Sequence, residues 1–440
     1  MTDTIFAPAT APGRAALAII RVSGPAAGEA LRALAGSVPP PRRARRARFR
    51  DPRTGEPIDD GLALFFPAPA SATGEDVAEL HLHGGRAVLE AAASALLAVP
   101  GLRLAEPGEF TRRAFENGKL DLTAAEAVAD LVAAETAAQR RQSLAQLEGA
   151  LGRLYDGWRG RLMRALAHLE AAIDFPEEDL PAGIDRGVRA DVEALVAEIT
   201  AHLTDERRGE ILREGVEIAI IGPPNAGKSS LLNALARRDV AITSAVAGTT
   251  RDVIEVRLDL AGYPVILADT AGLRAASDAI EEEGVRRARQ RAARADLKLV
   301  VFDVTRPSEL AALGDVLDAA TILVANKVDL ATADDIAALA AEAAPLSIKT
   351  GEGMSALLDR LQAAVARRIG DGSGPALTRA RHRRELEDCA AALRRALTAA
   401  LPELAGEDLR LALRSLGRIT GRVDVEDILD VIFRDFCIGK

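Results

Sequence analysis

The sequence predicts a multidomain α/β protein: an N-terminal α+β unit, a helical bundle, and an α/β domain inserted into that bundle. Three observations lead to this prediction. Short apolar runs alternate with turns in residues 1–118. Stretches dominated by helix-forming residues occupy 122–175 and 378–436. Between them, three apolar runs each end in polar residues, two of them with glycine, as parallel strands do at the binding edge of a sheet.

The N-terminal unit is expected to combine several strands with a helix. Alternating or apolar runs predict strands at 16–20, 61–66 and 78–83, and residues 87–99 have a helical pattern. A compact α+β unit covering 1–118 follows from this mixture.

The helices on the two flanks are expected to share one core, because amphipathic helices of this length cannot leave their apolar faces exposed. We therefore predict a helical domain made of 119–212 and 371–440, with a domain at 213–370 inserted in it. Within it, the pattern predicts one helix over about 188–213 and later helices at 378–400, 407–417 and 424–436.

Composition narrows the class of protein. The 440 residues have a formal net charge of −9, which argues against a generally basic nucleic-acid binder. Cys389 and Cys437 are the only cysteines, so there is no disulfide framework. No run of 18 apolar residues and no signal peptide are visible, and we expect a cytoplasmic protein without membrane contact.

A phosphate-binding loop follows the first apolar run of the inserted domain. Gly222-Pro-Pro-Asn-Ala-Gly-Lys-Ser229 comes directly after Val216–Ile221, so it stands between a strand and a helix, where such a loop belongs. Lys228 would reach the β- and γ-phosphates, and the Ser229 hydroxyl would bind Mg²⁺. The nucleotide-binding residues expected here are Asn225, Ala226, Gly227, Lys228, Ser229 and Ser230.

Two further strand ends identify the nucleotide as GTP. One carries a D-x-x-G motif, and an Asp at this place holds Mg²⁺ through water. The other carries N-K-x-D, whose carboxylate can accept from guanine N1–H and the exocyclic amine together, a pair that adenine lacks. A weaker fifth element has an isoleucine where a small residue is usual. The residues are Asp269, Thr270, Ala271 and Gly272; Asn326, Lys327, Val328 and Asp329; and Ser347, Ile348 and Lys349.

The segment between the phosphate-binding loop and Asp269 is expected to close over the nucleotide. Its GTP-binding residues are Ser244, Ala245, Val246, Ala247, Gly248, Thr249 and Thr250, with Thr250 as the second Mg²⁺ ligand. Leu273 stands where Ras-like enzymes place a water-orienting Gln, and leucine cannot polarise water. The nearest acidic residues, from Asp278 to Glu283, fit either a replacement group or a solvated helix start.

A basic run, Arg42–Arg50, lies in the N-terminal unit. The sequence favours a solvated loop and edge strand there over contact with RNA phosphates.

Several short segments together resemble one family over essentially the full chain, that of the bacterial tRNA-modification GTPases MnmE, also called TrmE. The matching segments are Ala11-Pro-Gly-Arg-Ala-Ala, Thr73-Gly-Glu-Asp-Val, His83-Gly-Gly, Pro107-Gly-Glu-Phe-Thr-Arg-Arg-Ala-Phe, Lys119-Leu-Asp-Leu, Ala172-Ile-Asp-Phe-Pro, Gly248-Thr-Thr-Arg-Asp, Asp269-Thr-Ala-Gly-Leu-Arg and Phe436-Cys-Ile-Gly-Lys.

The resemblance implies an N-terminal domain that binds tetrahydrofolate and joins two chains into a homodimer, with a Ras-like GTPase domain inserted in the helical bundle. It implies a flavoprotein partner, MnmG, in a heterotetramer or larger complex. Together they would add an aminomethyl or carboxymethylaminomethyl group to C5 of the wobble uridine of certain tRNAs. The one-carbon unit would come from 5-formyl- or methylene-tetrahydrofolate.

The resemblance also carries over individual residues. Hydrolysis in the family needs K⁺ at the junction of two G domains, and the matching K⁺ ligands are Asn225, Ser244, Thr249 and the Val246 carbonyl. The water-orienting residue falls on Glu281. The folate-binding residues are Arg21, Glu79, Lys119 and Lys440.

A ribosome-assembly GTPase, acting as a binding switch, is the alternative function, because such proteins share these nucleotide motifs. They carry a KH-type domain or two tandem G domains, and this sequence has one phosphate-binding loop and a helical C-terminal part.

Overall fold

The computed structural model describes residues 3–174, 184–205, 207–238, 241–242, 255–269, 290, 293–337, 339, 342–370, 374–423, 425–434 and 436–439. The chain divides into two compact units. The first unit consists of Met1–Ala129, Gln146–Leu195 and Asp388–Lys440; the second consists of Asp130–Ala145 and Val196–Glu387.

A six-stranded sheet forms the centre of the N-terminal part of the first unit. The order of its strands is β3-β4-β5-β2-β1-β6, and all neighbours are antiparallel except β1 and β6. The strands are β1 (Thr4–Pro8), β2 (Ala15–Ser23), β3 (Arg45–Arg50), β4 (Pro57–Phe66), β5 (Val77–Gly84) and β6 (Leu102–Leu104), and the helices are α1 (Ala27–Ala35), α2 (Arg86–Leu97) and α3 (Glu109–Glu116).

The apolar core of this sheet lies on one face, because side chains alternate along each strand. Phe6, Ile20, Leu80 and Leu82 are fully or almost fully buried there, together with residues of α1 and α2. The opposite face carries polar side chains of β2 and β5, among them Arg21 and Glu79, and beside them a small apolar cluster of Ile5, Ala7, Ala105 and Phe110. The three strands and the helix predicted in this unit are confirmed.

Helices from both flanks meet in the first unit. Leu122, on the N-terminal side of the inserted domain, packs with Leu429, Phe433 and Phe436 near the C-terminus. The helices before the inserted domain are α4 (Leu122–Ala133), α5 (Ala137–Leu147), α6 (Ala150–Asp174), α7 (Ile184–Leu203) and α8 (Arg208–Glu214). The helices after it are α12 (Ala380–Thr398), α13 (Pro402–Thr420) and α14 (Glu426–Arg434). The predicted class, a helical part built from both flanks around an α/β domain, is confirmed.

One predicted helix, 188–213, is wrong as a single element. It is broken between α7 and α8, where Arg207 adopts a left-handed φ of 61°. The Thr204 hydroxyl donates to the Ala201 carbonyl at 2.8 Å, and Asp205 accepts from the Arg207 N–H at 3.1 Å. Short polar side chains that bond nearby backbone in this way compete with helix continuation.

The second unit contains a six-stranded sheet of order β12-β11-β10-β7-β9-β8, parallel except for the antiparallel pair β8–β9. The strands are β7 (Val216–Ile221), β8 (Glu255–Leu260), β9 (Tyr263–Asp269), β10 (Leu297–Asp303), β11 (Thr321–Asn326) and β12 (Ala344–Leu346), and the helices are α9 (Lys228–Ala236), α10 (Ala333–Ala337) and α11 (Met354–Ile369). The three strands predicted here are confirmed, and their carboxyl ends carry the nucleotide motifs.

Among the residues described, no helix has both the length and the apolar character needed to cross a membrane. The domain boundaries at residues 118, 212 and 370 stay predictions.

Candidate functional sites

The phosphate-binding loop owes its shape to residues with positive φ. Asn225, Gly222 and Gly227 have φ values of 60°, 156° and 104°. A Cβ at Gly222 would collide with the Val301 carbonyl oxygen, and a Cβ at Gly227 would collide with the Asn326 amide. The loop therefore needs glycine at both places, since the neighbouring strands approach its backbone directly.

Lys228 begins α9 and lies along this loop. Its Nζ donates to the carbonyl oxygens of Gly222 and Pro223, both at 2.8 Å. Ser229 and Ser230 follow in the first turn of α9. A lysine, a helix N-terminus and glycine-rich backbone at one strand end fit a polyphosphate with its magnesium ion, because N–H groups and cation all favour an anion.

Asn326 ties the phosphate-binding loop to the end of β11. Its Nδ2 donates to the Ala226 carbonyl at 2.7 Å, and its Oδ1 accepts from the Ile348 N–H at 3.3 Å. The side chain is buried. Asn326 thus braces two of the predicted nucleotide-binding segments against each other, with Ile348 packed against Gly227.

The lysine of the N-K-x-D motif makes an ion pair that the sequence did not reveal. Lys327 has a φ of 66°, and its Nζ lies 2.7 Å from Oδ2 of Asp303, the last residue of β10. Burial raises the pKa of Asp303, but hydrogen bonds from Lys327 and Thr305 outweigh it and hold that pKa below its usual value. Asp303 ends another apolar strand, β10, which lies beside the strand that precedes N-K-x-D. That position is the signal that could have revealed it.

Asp329 is exposed and oriented from one side. Its Oδ1 accepts from the Ser347 hydroxyl at 2.7 Å, and that hydroxyl in turn accepts from the Thr350 N–H at 3.2 Å. The exposed position is suited to reading two N–H groups of a base. Val328 is buried beneath it, and Lys349 is exposed.

The remaining predicted nucleotide residues are placed only in part. The backbone of Asp269 ends β9 beside Ile220. Ser244 to Thr250, Thr270 to Gly272, and Glu281 lie outside the described residues, so their roles toward K⁺, Mg²⁺ and the attacking water stay predictions.

Two of the predicted folate residues, Arg21 and Glu79, lie on the face of the first sheet opposite the helices. Arg21 on β2 is directly opposite Glu79 on β5, and its Nε and Nη2 lie 3.2 and 3.0 Å from Glu79 Oε1. His81 Nε2 lies 3.3 Å from the other oxygen, and the Arg21 guanidinium is 6.0 Å from the centre of the Phe110 ring. A half-buried carboxylate between a guanidinium and an imidazole, next to an aromatic ring, fits a flat heterocycle with N–H donors.

Lys119 belongs to the same region through the loop that precedes β5. Its Nζ donates to the Pro69 carbonyl at 2.9 Å, and its side chain contacts Gly74. Neighbouring Thr73 is hydrogen-bonded to Ser23, two residues beyond Arg21, at 2.7 Å.

The C-terminal tail lies against the N-terminal strands of the same unit. Ile438 forms a β-bridge with Pro107, and a Cβ on Gly439 would collide with the Pro8 carbonyl. Lys440 itself lies outside the described residues.

A buried arginine behind these residues escaped the sequence reading. The Arg113 side chain is 0% exposed and pairs with Asp3, Glu75 and Glu109 at 3.0 to 3.2 Å. Glu75 also accepts from the Ser23 hydroxyl at 2.7 Å. Arg113 lies in the segment Pro107-Gly-Glu-Phe-Thr-Arg-Arg-Ala-Phe, where two adjacent arginines in a short helix gave no sign of which one turns inward.

The site in the second unit is that of a P-loop GTPase, since a phosphate-binding loop, a D-x-x-G strand end and N-K-x-D stand in order along one parallel sheet. Comparison with known proteins narrows this class. Residues 122–437 match the model of the MnmE helical domain, and residues 4–119 match that of the GTP-binding protein TrmE N-terminus.

Relatives match over the whole chain. Proteins named tRNA modification GTPase MnmE from Paramagnetospirillum magneticum and Parvibaculum lavamentivorans are 59% and 58% identical, and both comparisons cover 100% of each chain. The one from Rhodospirillum rubrum is 58% identical over 100% of this chain and 99% of its own. The chain belongs to the MnmE family of tRNA modification GTPases.

Proposed function

We propose that this protein is a K⁺-dependent GTPase that modifies tRNA. With a flavoprotein partner of the MnmG type, it would add an aminomethyl or carboxymethylaminomethyl group to C5 of the wobble uridine. The observation that carries the proposal is the 58–59% identity over the entire chain to proteins named tRNA modification GTPase MnmE.

The nucleotide residues are proposed to divide the work between charge and recognition. Lys228 neutralises the β- and γ-phosphates, while Ser229 and Thr250 hold Mg²⁺. Asp329 accepts from the guanine edge and thereby excludes ATP. Asn225, Ser244, Thr249 and the Val246 carbonyl hold K⁺, which would supply positive charge beside the phosphates where other GTPases use an arginine. Glu281 orients the attacking water.

The first unit is proposed to bind tetrahydrofolate and to join two chains. A bound folate would supply the one-carbon unit. Glu79, held by Arg21 at 3.0 Å, accepts from the amino and ring N–H groups of the pterin. Lys119 and Lys440 attract the anionic glutamate tail. In the described parts of the two sites, no feature favours the alternative of a ribosome-assembly switch.

Two measurements test the proposal. Steady-state GTP hydrolysis is expected to be faster in K⁺ than in Na⁺ buffer of equal ionic strength, and equal rates would remove the K⁺ assignment. Mass spectrometry of tRNA from a strain lacking this protein is expected to show loss of the modified wobble uridine, restored by the intact gene. A complete set of modifications without the protein would overturn the proposed function.

A further inference from the structure

The basic run of the N-terminal unit forms an exposed strand at the edge of the first sheet. Among the residues that the structure describes, β3 pairs only with β4, on one side. Six of the nine residues from Arg42 to Arg50 are arginines, all of them exposed, in a chain whose net charge is −9. The edge strand expected from the sequence is confirmed.

Two of these arginines lie on the face opposite the helices. Phe49 is buried with α1 and α2, so by alternation Arg46 and Arg48 are on the other face. Their side chains start about 6.6 Å apart, the two-residue repeat of a strand. That distance is comparable to the spacing of successive phosphates along a nucleic-acid strand.

Little within the protein neutralises this strand. Arg46 lies 3.9 Å from Asp60, but the arginine side chain is 82% exposed, and pairs of this kind contribute little. Arg45 donates to the Ser37 hydroxyl and Arg50 to the Gly55 carbonyl, which are neutral acceptors. Among the described residues, Asp60 is the sole carboxylate ion-paired with an arginine of β3.

Charged side chains on an edge strand discourage edge-to-edge pairing. Closely spaced like charges also repel one another, which is a cost that protection of the edge does not offset. An anionic partner would convert this repulsion into binding energy.

We propose that the exposed arginines of β3 bind the phosphate backbone of tRNA. The proposal rests on the proposed function for its partner, because a tRNA-modifying enzyme must hold tRNA. Guanidinium groups bind phosphate with paired N–H donors. A second copy of the chain is a poor occupant of this edge, since pairing of β3 with β3 across a two-fold axis would bring two sets of arginines together.

The test compares two double substitutions in the full-length protein. Arg46→Ala with Arg48→Ala removes two positive charges from the strand. The matched control is Arg32→Ala with Arg86→Ala, which removes two exposed arginines from α1 and α2 of the same unit. Affinity for an unmodified tRNA transcript with a wobble uridine is measured by fluorescence anisotropy at salt concentrations from about 50 to about 200 mM. Over this range, affinity that depends on phosphate contacts falls steeply with salt.

The β3 variant is expected to bind the transcript about tenfold more weakly at roughly 100 mM salt, and the slope of log K against log salt should fall by about 1.4 to 1.8. The control should keep the wild-type affinity and slope. Arg46→Lys with Arg48→Lys should keep the wild-type salt slope, because the charges remain, but lose part of the affinity with the paired donors of the guanidinium groups.

Equal tRNA affinity of the β3 variant and the wild type would overturn the inference while leaving the proposed function intact. The same holds if the substitutions abolish binding to phosphatidylglycerol vesicles but leave tRNA binding unchanged. GTP hydrolysis, in the second unit, should be unaltered in every variant, and so should urea unfolding followed by the fluorescence of Trp158 in the first unit, which together show that both units are folded. Failure of the proposed function has a separate sign, the unchanged wobble uridine in the strain that lacks the protein.

Discussion

Two residues of one short motif have opposite tasks. Asn326 is buried, and its amide is hydrogen-bonded to the Ala226 carbonyl and the Ile348 N–H. Asp329, three residues later, is exposed, and Ser347 holds it from one side. The asparagine therefore shapes the site, and the exposed carboxylate is the group proposed to read the base.

Substitution of the exposed carboxylate should change nucleotide preference. In Asp329→Asn, one acceptor becomes an N–H donor that opposes guanine N1–H and the exocyclic amine but suits the second carbonyl of xanthine. GTP affinity should fall by about 10- to 100-fold relative to xanthosine triphosphate, the range expected for a charged hydrogen bond. Competition binding measures the ratio, and an unchanged ratio would show that Asp329 does not contact the base.

Glu281 is expected to act on hydrolysis alone. Glu281→Ala should lower kcat by at least about 10²-fold, typical for loss of a positioned general base. GTP and GDP affinities should stay nearly constant, because Lys228 and Asp329, which are proposed to hold the nucleotide, are unchanged. Glu282→Ala and Glu283→Ala are the internal controls. Three mild and similar effects would identify the segment as an acidic helix start.

At the scale of residues, the sequence reached the motifs but not their partners. The spacing of N-K-x-D identified Asp329, because that spacing carries chemistry of its own. The pair of Lys327 with Asp303 depends on two strands lying side by side, and the inward turn of Arg113 depends on three separate segments meeting. Neither has a local pattern to announce it.

At the scale of elements, Arg113 connects parts of the first unit that are distant in sequence. It joins Asp3 before β1, Glu75 before β5, and Glu109 in its own helix α3. Arg103 adds pairs with Asp3 and Glu109. A buried cation with several carboxylates tolerates loss of its centre poorly, since the remaining charges are left without compensation.

Arg113→Ala is therefore expected to destabilise the first unit by about 3 kcal/mol at neutral pH. Urea unfolding followed by the fluorescence of Trp158, the single tryptophan and a buried residue of this unit, measures the change. Arg112→Ala is the matched control, because Arg112 is partly exposed and its pairs with Glu116 and Asp430 should contribute less than about 1 kcal/mol. Equal losses in the two variants would contradict the role of Arg113.

The same cluster gives the wild type a defined pH dependence. Burial raises the pKa of Asp3 and of Glu109, but hydrogen bonds and charge from Arg103 and Arg113 lower it more, so both pKa values lie below those of the unfolded chain. Their contribution is complete above the unfolded pKa and is lost as pH falls through the folded pKa. The urea midpoint should decline on acidification below about pH 4.5, and less steeply in Arg113→Ala.

Elements were easier to predict than their interruptions. Apolar periodicity placed the strands and most helices, since burial of a face dictates that period. The break between α7 and α8 depends on side-chain bonds of Thr204 and Asp205 to the backbone, which periodicity does not register.

At the scale of the whole molecule, both ends of the chain contribute to one region of the first unit. The last described residue, Gly439, lies against Pro8 of β1, while Phe433 and Phe436 contact Gly108 beside α3. Residues 1–118 alone therefore do not form the whole of this surface. A binding experiment on the proposed folate site has to use the full-length chain, because a fragment would lack the C-terminal tail.

Glu79→Ala should abolish or strongly weaken binding of 5-formyl-tetrahydrofolate and leave GTP binding intact. The carboxylate is 16% exposed and paired with Arg21 at 3.0 Å. Its removal takes away the acceptor for the pterin N–H groups and leaves the Arg21 guanidinium without this carboxylate beside the pterin. A loss of about 10- to 100-fold is expected for one charged hydrogen-bonding group. Calorimetry on the full-length protein measures it.

Glu90→Ala, an exposed carboxylate of α2 paired with Arg86, is the control and should bind folate normally. Because GTP binds in the second unit, an effect on both ligands would indicate misfolding. Unchanged folate affinity in Glu79→Ala would remove Glu79 from the site, and the pair with Arg21 would then serve only to hold β2 against β5.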